Sequence, residues 1–130
     1  MTVYEYVGCF FDYEELTEKV AALRKNPLEC PKKKPHVTFE YGPDSVDTAL
    51  FGQEILVTIV GYGNDGENEG VFVRISCENR RIAEMAAKIP VPHITLAVSP
   101  EGKAVNTKFL QFTPVDPICI VGHYNGHIDE

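Results

Sequence analysis

The sequence has no apolar run long enough to span a bilayer, and its start, Met1-Thr2-Val3-Tyr4-Glu5-Tyr6, lacks the basic-then-apolar pattern of a signal peptide. No membrane partner is expected, and the expected location is cytoplasmic. Paired cysteine motifs are also missing. Cys9, Cys30, Cys77 and Cys119 are widely scattered with no C-x-x-C, which argues against a zinc ribbon or a dithiol redox motif and predicts reduced, partly buried thiols. Basic charge is short: 12 Lys and Arg against 19 Asp and Glu give a net charge of -7. Affinity for extended nucleic acid comes from cations neutralising phosphates, so a partner such as long duplex is not expected. A small phosphate ligand needs only a local positive site. At 130 residues, 44% hydrophobic and 24% charged, the chain fits one globular domain, residues 1–130, and is expected to be a monomer.

What is present is a repeat. Pro35-His36-Val37-Thr38-Phe39 recurs position for position as Pro92-His93-Ile94-Thr95-Leu96. Polar and apolar residues alternate in each copy, so each reads as a strand with His and Thr on one face and apolar residues on the other. Val37, Phe39 and Tyr41, and likewise Ile94, Leu96 and Val98, are expected in the core.

The remaining elements repeat in the same order. Val3 to Phe11 reads as a strand, ended by Asp12 as a helix N-cap with Glu15 three residues on. Leu16, Val20 and Leu23 then recur at helical spacing. The proline-rich stretch from Asn26 to Pro35 carries Lys32-Lys33-Lys34 and reads as a loop, which either steers an anion or is merely solvated. A turn at Gly42-Pro43-Asp44 and a strand from Glu54 to Tyr62 complete the first unit, and Gly63 to Gly70 reads as a polar connection too acidic to cradle phosphate. Val71 to Cys77 then alternates as a strand. Ile82, Met85, Ala86 and Ile89 mark a second helix, His93 opens the second motif, and Pro100-Glu101-Gly102 turns the chain. Ile120-Val121-Gly122-His123 matches Ile59-Val60-Gly61-Tyr62. This order predicts an α+β fold: duplicated strand-helix-strand-strand units, about 1–64 and 70–130, forming two lobes about a pseudo-twofold axis with a central cleft.

Two imidazoles and two hydroxyls in one cleft suit phosphodiester cleavage. One neutral histidine accepts a proton, one protonated histidine donates one, and the threonines donate to phosphate. No metal or other cofactor is required. The paired motifs in a duplicated frame resemble the two-histidine (2H) phosphoesterase superfamily over essentially the whole chain. That group includes RNA 2',3'-cyclic phosphodiesterases, the cyclic phosphodiesterase domain of tRNA ligases, LigT-like enzymes and phage nucleases that destroy cyclic oligonucleotide immune signals. The resemblance implies catalytic roles for His36 and His93 and phosphate contacts from Thr38 and Thr95. The implied substrate is a nucleotide or RNA end bearing a cyclic phosphate or phosphodiester, with cyclic oligonucleotides as the alternative. A non-catalytic nucleotide-binding module is the other class of function.

Tyr62 and His123 occupy matching places in the two units, and Tyr62 and Tyr124 are candidates to stack on a base. Arg74, pointing the same way as Phe72, and Lys103, just after the second motif, are candidate phosphate contacts. For each, surface or core packing is the competing reading. His123 and His127 have a spacing that holds zinc on a helix, but Tyr124-Asn125-Gly126 between them favours a turn, and no metal site is expected.

Overall fold

The computed structural model describes residues 2–128. The strands are β1 (Tyr6–Phe10), β2 (Cys30–Pro31), β3 (His36–Tyr41), β4 (Glu54–Asn64), β5 (Asn68–Ser76), β6 (His93–Val98) and β7 (Thr113–His127). Among the described residues there are two α-helices, α1 (Tyr13–Val20) and α2 (Arg80–Ala87), with short 3-10 turns at Ala21–Leu23, Thr48–Leu50 and Ala104–Phe109. Among the described residues no helix is long and apolar enough to cross a membrane.

Local signals account for the helices. The Asp12 side chain accepts from the Glu15 N–H at 2.8 Å, Glu14 and Glu15 sit in the first turn, and Lys19 in the last, matching the helix dipole. Asn79 caps α2 in the same way, accepting from the Ile82 N–H at 3.1 Å. Each helix has only two turns and is held by its apolar residues, Leu16 and Val20 in α1 and Ile82 in α2, all buried.

The strands form one antiparallel sheet in the order β2-β6-β5-β4-β7-β1-β3. The expected two-lobed α+β arrangement of autonomous strand-helix-strand-strand units is therefore corrected to a largely β protein. The last strand of each unit leaves its own half: β7 pairs with β1 and β4 pairs with β5, while β4 and β7 pair with each other at the centre. The stretch expected as a polar connection is also mostly strand. β4 runs to Asn64, β5 starts at Asn68, and Asp65-Gly66-Glu67 makes the tight turn between them. The Asp65 carboxylate accepts from the N–H groups of Glu67 and Asn68 at 2.9 and 2.7 Å, and Gly66 supplies the positive φ of 91°.

Alternation along the strands divides the sheet's faces. Val7, Cys9, Val37, Ile55, Val57, Ile59, Val71, Val73, Ile94, Leu96 and Ile120 are buried together with Leu16, Val20 and Ile82. Tyr41 was expected in this core but is 64% exposed at the end of β3. The opposite face carries Tyr6, Phe10, His36, Thr38, Phe72, His93 and Thr95. β3 and β6 are far apart in hydrogen-bonding order, yet they touch. The sheet curls until its two ends meet, which brings the repeated motifs together.

Both motif strands are shaped by a bulge at the same place. In the β1–β3 pairing Gly8 is opposite Thr38 and Val7 opposite Glu40, leaving Phe39 as the extra residue. In β5–β6 Gly70 is opposite Thr95 and Glu69 opposite Ala97, leaving Leu96 extra. A side chain on either glycine has no room. A Cβ on Gly8 would lie 2.1 Å from the Val37 carbonyl oxygen, and one on Gly70 would lie 2.5 Å from Thr107 Cγ2 and 2.7 Å from the Ile94 carbonyl oxygen.

Candidate active site

The curl of the sheet encloses a cavity of about 630 Å³, a size suited to a small ligand. His36, Thr38, His93 and Thr95 all line it, so the two motifs contribute to one site. Each histidine is held alike. His36 Nδ1 lies 3.0 Å from the Lys34 carbonyl oxygen and His93 Nδ1 lies 2.7 Å from that of Val91. A carbonyl only accepts, so each Nδ1 carries a proton, and in the neutral ring Nε2 is left as the acceptor. Burial lowers the pKa of both imidazoles, and the carbonyl contacts oppose that only in part. His36 is lowered further by the nearby charges of His127, His93 and Lys32, and His93 by Lys108.

The cavity is electropositive in an acidic protein. Lys32, Lys33, Lys34, Lys88 and Lys108 line it, five of the chain's eight lysines, against one acid, Glu5, among the described residues. The lysine loop left open between steering and solvation thus borders the site. It is anchored rather than loose: the Lys32 N–H donates to the Leu96 carbonyl at 2.9 Å, and Cys30–Pro31 pairs with β6. Upstream, the fully buried Glu69 accepts from Arg24 Nε at 2.6 Å, Arg24 Nη2 at 2.8 Å, the Leu28 N–H at 3.0 Å and Tyr62 Oη at 2.7 Å. Burial pushes the Glu69 carboxyl up, and these hydrogen bonds outweigh it, so its pKa is lowered overall. Glu69 therefore ties the start of the lysine loop to β5.

The accessory residues fall differently from expectation. Tyr62 does not line the cavity: a register shift between Ile59 and Gly61 precedes it, and its hydroxyl is committed to Glu69, with the phenol pushed up to about 12 by burial and that hydrogen bond. Tyr124 is 2% exposed, packed in the core near Phe39 and Phe51, and cannot meet a base. Arg74 is exposed opposite Thr58, outside the cavity. Lys103 is exposed and contributes its carbonyl, which accepts from Asn68 Nδ2 at 2.6 Å; Lys108, at the other end of the same 3-10 turn, lines the cavity instead. His123 and His127 lie on extended β7, not on a helix or turn, which separates them by about 13 Å. Among the described residues no group of three or more His, Cys, Asp or Glu is arranged to hold a metal ion. All four cysteines are free, with Cys9 buried and its thiol pushed up to about 12 by burial and Cys77, while Cys30 and Cys119 are exposed.

Sequence reasoning missed Glu5, Tyr6, Lys88 and Lys108, and weighed His127 only as a zinc ligand, whereas all five line the cavity. Tyr6 stacks on His36 with centroids 4.6 Å apart and on His127 at 4.9 Å. Gly8-Cys9-Phe10 and Gly70-Val71-Phe72 carried the signal: a repeated Gly-x-Phe marks the strand beside each motif, with Phe10 opposite His36 and Phe72 opposite His93.

No family model matches the chain, and no curated protein matches it significantly.

Proposed function

We propose that the protein is a phosphodiesterase of the two-histidine kind, using His36 and His93 as an acid-base pair to hydrolyse a cyclic phosphate or phosphodiester of a nucleotide or RNA end. The observation that carries this reading is the convergence of both His-x-Thr pairs on one lysine-lined cavity, each ring fixed through Nδ1 with Nε2 left for chemistry. In the proposed cycle the neutral histidine takes a proton from water as its oxygen attacks phosphorus. The protonated histidine gives a proton to the ribose oxygen as the P–O bond breaks, leaving a phosphomonoester. Charge developing on the equatorial oxygens is met by the lysines and a threonine hydroxyl. In this scheme the lowered imidazole pKa values favour the neutral base, and an arriving anion supplies the charge that keeps the second ring protonated.

Overall acidity with a confined positive cavity favours a small substrate over long nucleic acid. The test is a screen of nucleoside 2',3'-cyclic phosphates, cyclic dinucleotides and RNA with 2',3'-cyclic ends, with and without EDTA. The reading expects turnover of at least one class, unchanged by the chelator, with a bell-shaped pH profile. Failure to hydrolyse any of them while still binding nucleotides would make the protein a nucleotide-binding module.

A further inference from the structure

We infer that the end of the cavity formed by Glu5 and Tyr41 is a base-recognition subsite that selects guanine. This deepens the nucleotide reading above and rests on it. A phosphate-binding cavity gains nothing from a carboxylate in its wall, yet Glu5 is there among five lysines. Its backbone is fixed on both sides. The Glu5 N–H donates to the His127 carbonyl at 2.8 Å, and the Glu5 carbonyl accepts from the Gly42 N–H at 2.8 Å, which seats Glu5 beside Tyr41. Its side chain is 46% exposed and is not consumed by a close ion pair, since His127 Nε2 stands 3.9 Å away.

Tyr41 supplies the platform. It lines the cavity, is 64% exposed, and meets Tyr6 only at an angle, with centroids 5.7 Å apart and planes at 61°. Tyr6 itself is already stacked with His36 and His127, so Tyr41 is the ring left open to a ligand. A purine stacked there would present its edge to the neighbouring carboxylate. A carboxylate is an acceptor only, and guanine alone among the common bases offers two adjacent donors, N1–H and the N2 amino group. Adenine and cytosine pair a donor with an acceptor, and uracil flanks its one N–H with two carbonyls that repel the charge.

The test measures binding without turnover, by titrating GMP, AMP, CMP and UMP into the wild-type protein, Glu5→Gln and Tyr41→Leu. GMP is expected to bind roughly tenfold or more tightly than UMP, as a bidentate pair allows. Glu5→Gln should collapse that ratio, because the amide places a donor against a donor. Tyr41→Leu should weaken all four nucleotides while keeping their order. Equal affinity of the wild type for all four, or a GMP preference that survives Glu5→Gln, would overturn the inference. Hydrolysis of cyclic phosphates without base preference would leave the catalytic reading standing, whereas guanine preference without hydrolysis would leave only this one.

Discussion

The two halves of the site use one backbone plan and fill it with opposite chemistry. In the first half, a side chain on the bulge glycine, Gly8, would run into the Val37 carbonyl of β3, and Tyr6, two residues earlier, stacks on His36. In the second half, the space above Gly70 is filled by Thr107 from the 3-10 turn, and Asn68 stands in the place of Tyr6. Asn68 Nδ2 donates to Thr107 Oγ1 at 2.9 Å, and Thr95 Oγ1 lies 2.8 Å from the same oxygen. Thr95 is thus fixed by a buried polar network, while Thr38 makes no side-chain hydrogen bond among the described residues. At the position before each glycine the contrast is sharper, with Val7 in one half and the buried ion-paired Glu69 in the other. Backbone register places the two histidines; the surrounding side chains decide how each half is lined and which threonine is tied into a hydrogen-bonded network.

The largest expected effect falls on both halves alike. His36→Ala and His93→Ala should each lower kcat by about 100- to 10,000-fold, the range for losing a general acid or base, with little change in the unfolding midpoint. If only one histidine mattered, the halves would differ in function as well as in lining.

Removing Glu69 breaks the comparison in one half only. Glu69→Ala leaves Arg24 unpaired beside a buried site and should destabilise the fold by about 3–5 kcal/mol, measured by urea unfolding. Val7→Ala, at the matching position, removes only two methyl groups and should cost about 1–2 kcal/mol. Equal losses would mean that the ion pair is not what anchors the second half.

Smaller effects sharpen the contrast between the threonines. Thr107→Val keeps the volume but removes the oxygen that Thr95 contacts, so it should lower kcat several-fold in the manner of Thr95→Val. It should not add to Thr95→Val in the double variant, because the two act as one unit. Thr38→Val should act independently of Thr107→Val. Steady-state kinetics on the three single variants and the two doubles, Thr95→Val/Thr107→Val and Thr38→Val/Thr107→Val, checks this.

The smallest effect is on stability against pH. Both imidazoles have pKa values below the ordinary 6.5 in the folded state, so below that pH the unfolded chain binds more protons. The stability gained by holding the rings neutral is therefore present above pH 6.5 and is lost as pH falls through the window beneath it. The unfolding midpoint should decline between pH 7 and 5, and less steeply when both histidines are replaced.

The site was legible in the sequence where the signal was local and repeated. The two His-x-Thr strands, the Asp12 cap and the apolar spacing of Leu16 and Val20 could all be read from neighbouring residues. The sheet could not, because which strand the last segment of each unit joins depends on long-range pairing, and β4 and β7 cross between halves. Tyr62 was misplaced because one extra residue in a strand sends every later side chain to the other face. Tyr124 reads as a polar-tipped aromatic suited to a groove, but its position on the core-facing side of β7 buries it. Lys88, Lys108, His127 and Glu5 lie far apart in the chain, and only the curl of the sheet makes them neighbours.

The central claim is that His36 and His93 act as one unit on one phosphate. Its most direct test is the rate of hydrolysis of a nucleoside 2',3'-cyclic phosphate by the His36→Ala/His93→Ala double variant beside the two single variants. A working pair predicts that the double variant is no slower than the worse single variant, since removing either member already stops the proton relay. Losses that multiply, or a single variant that keeps near-normal turnover, would contradict it.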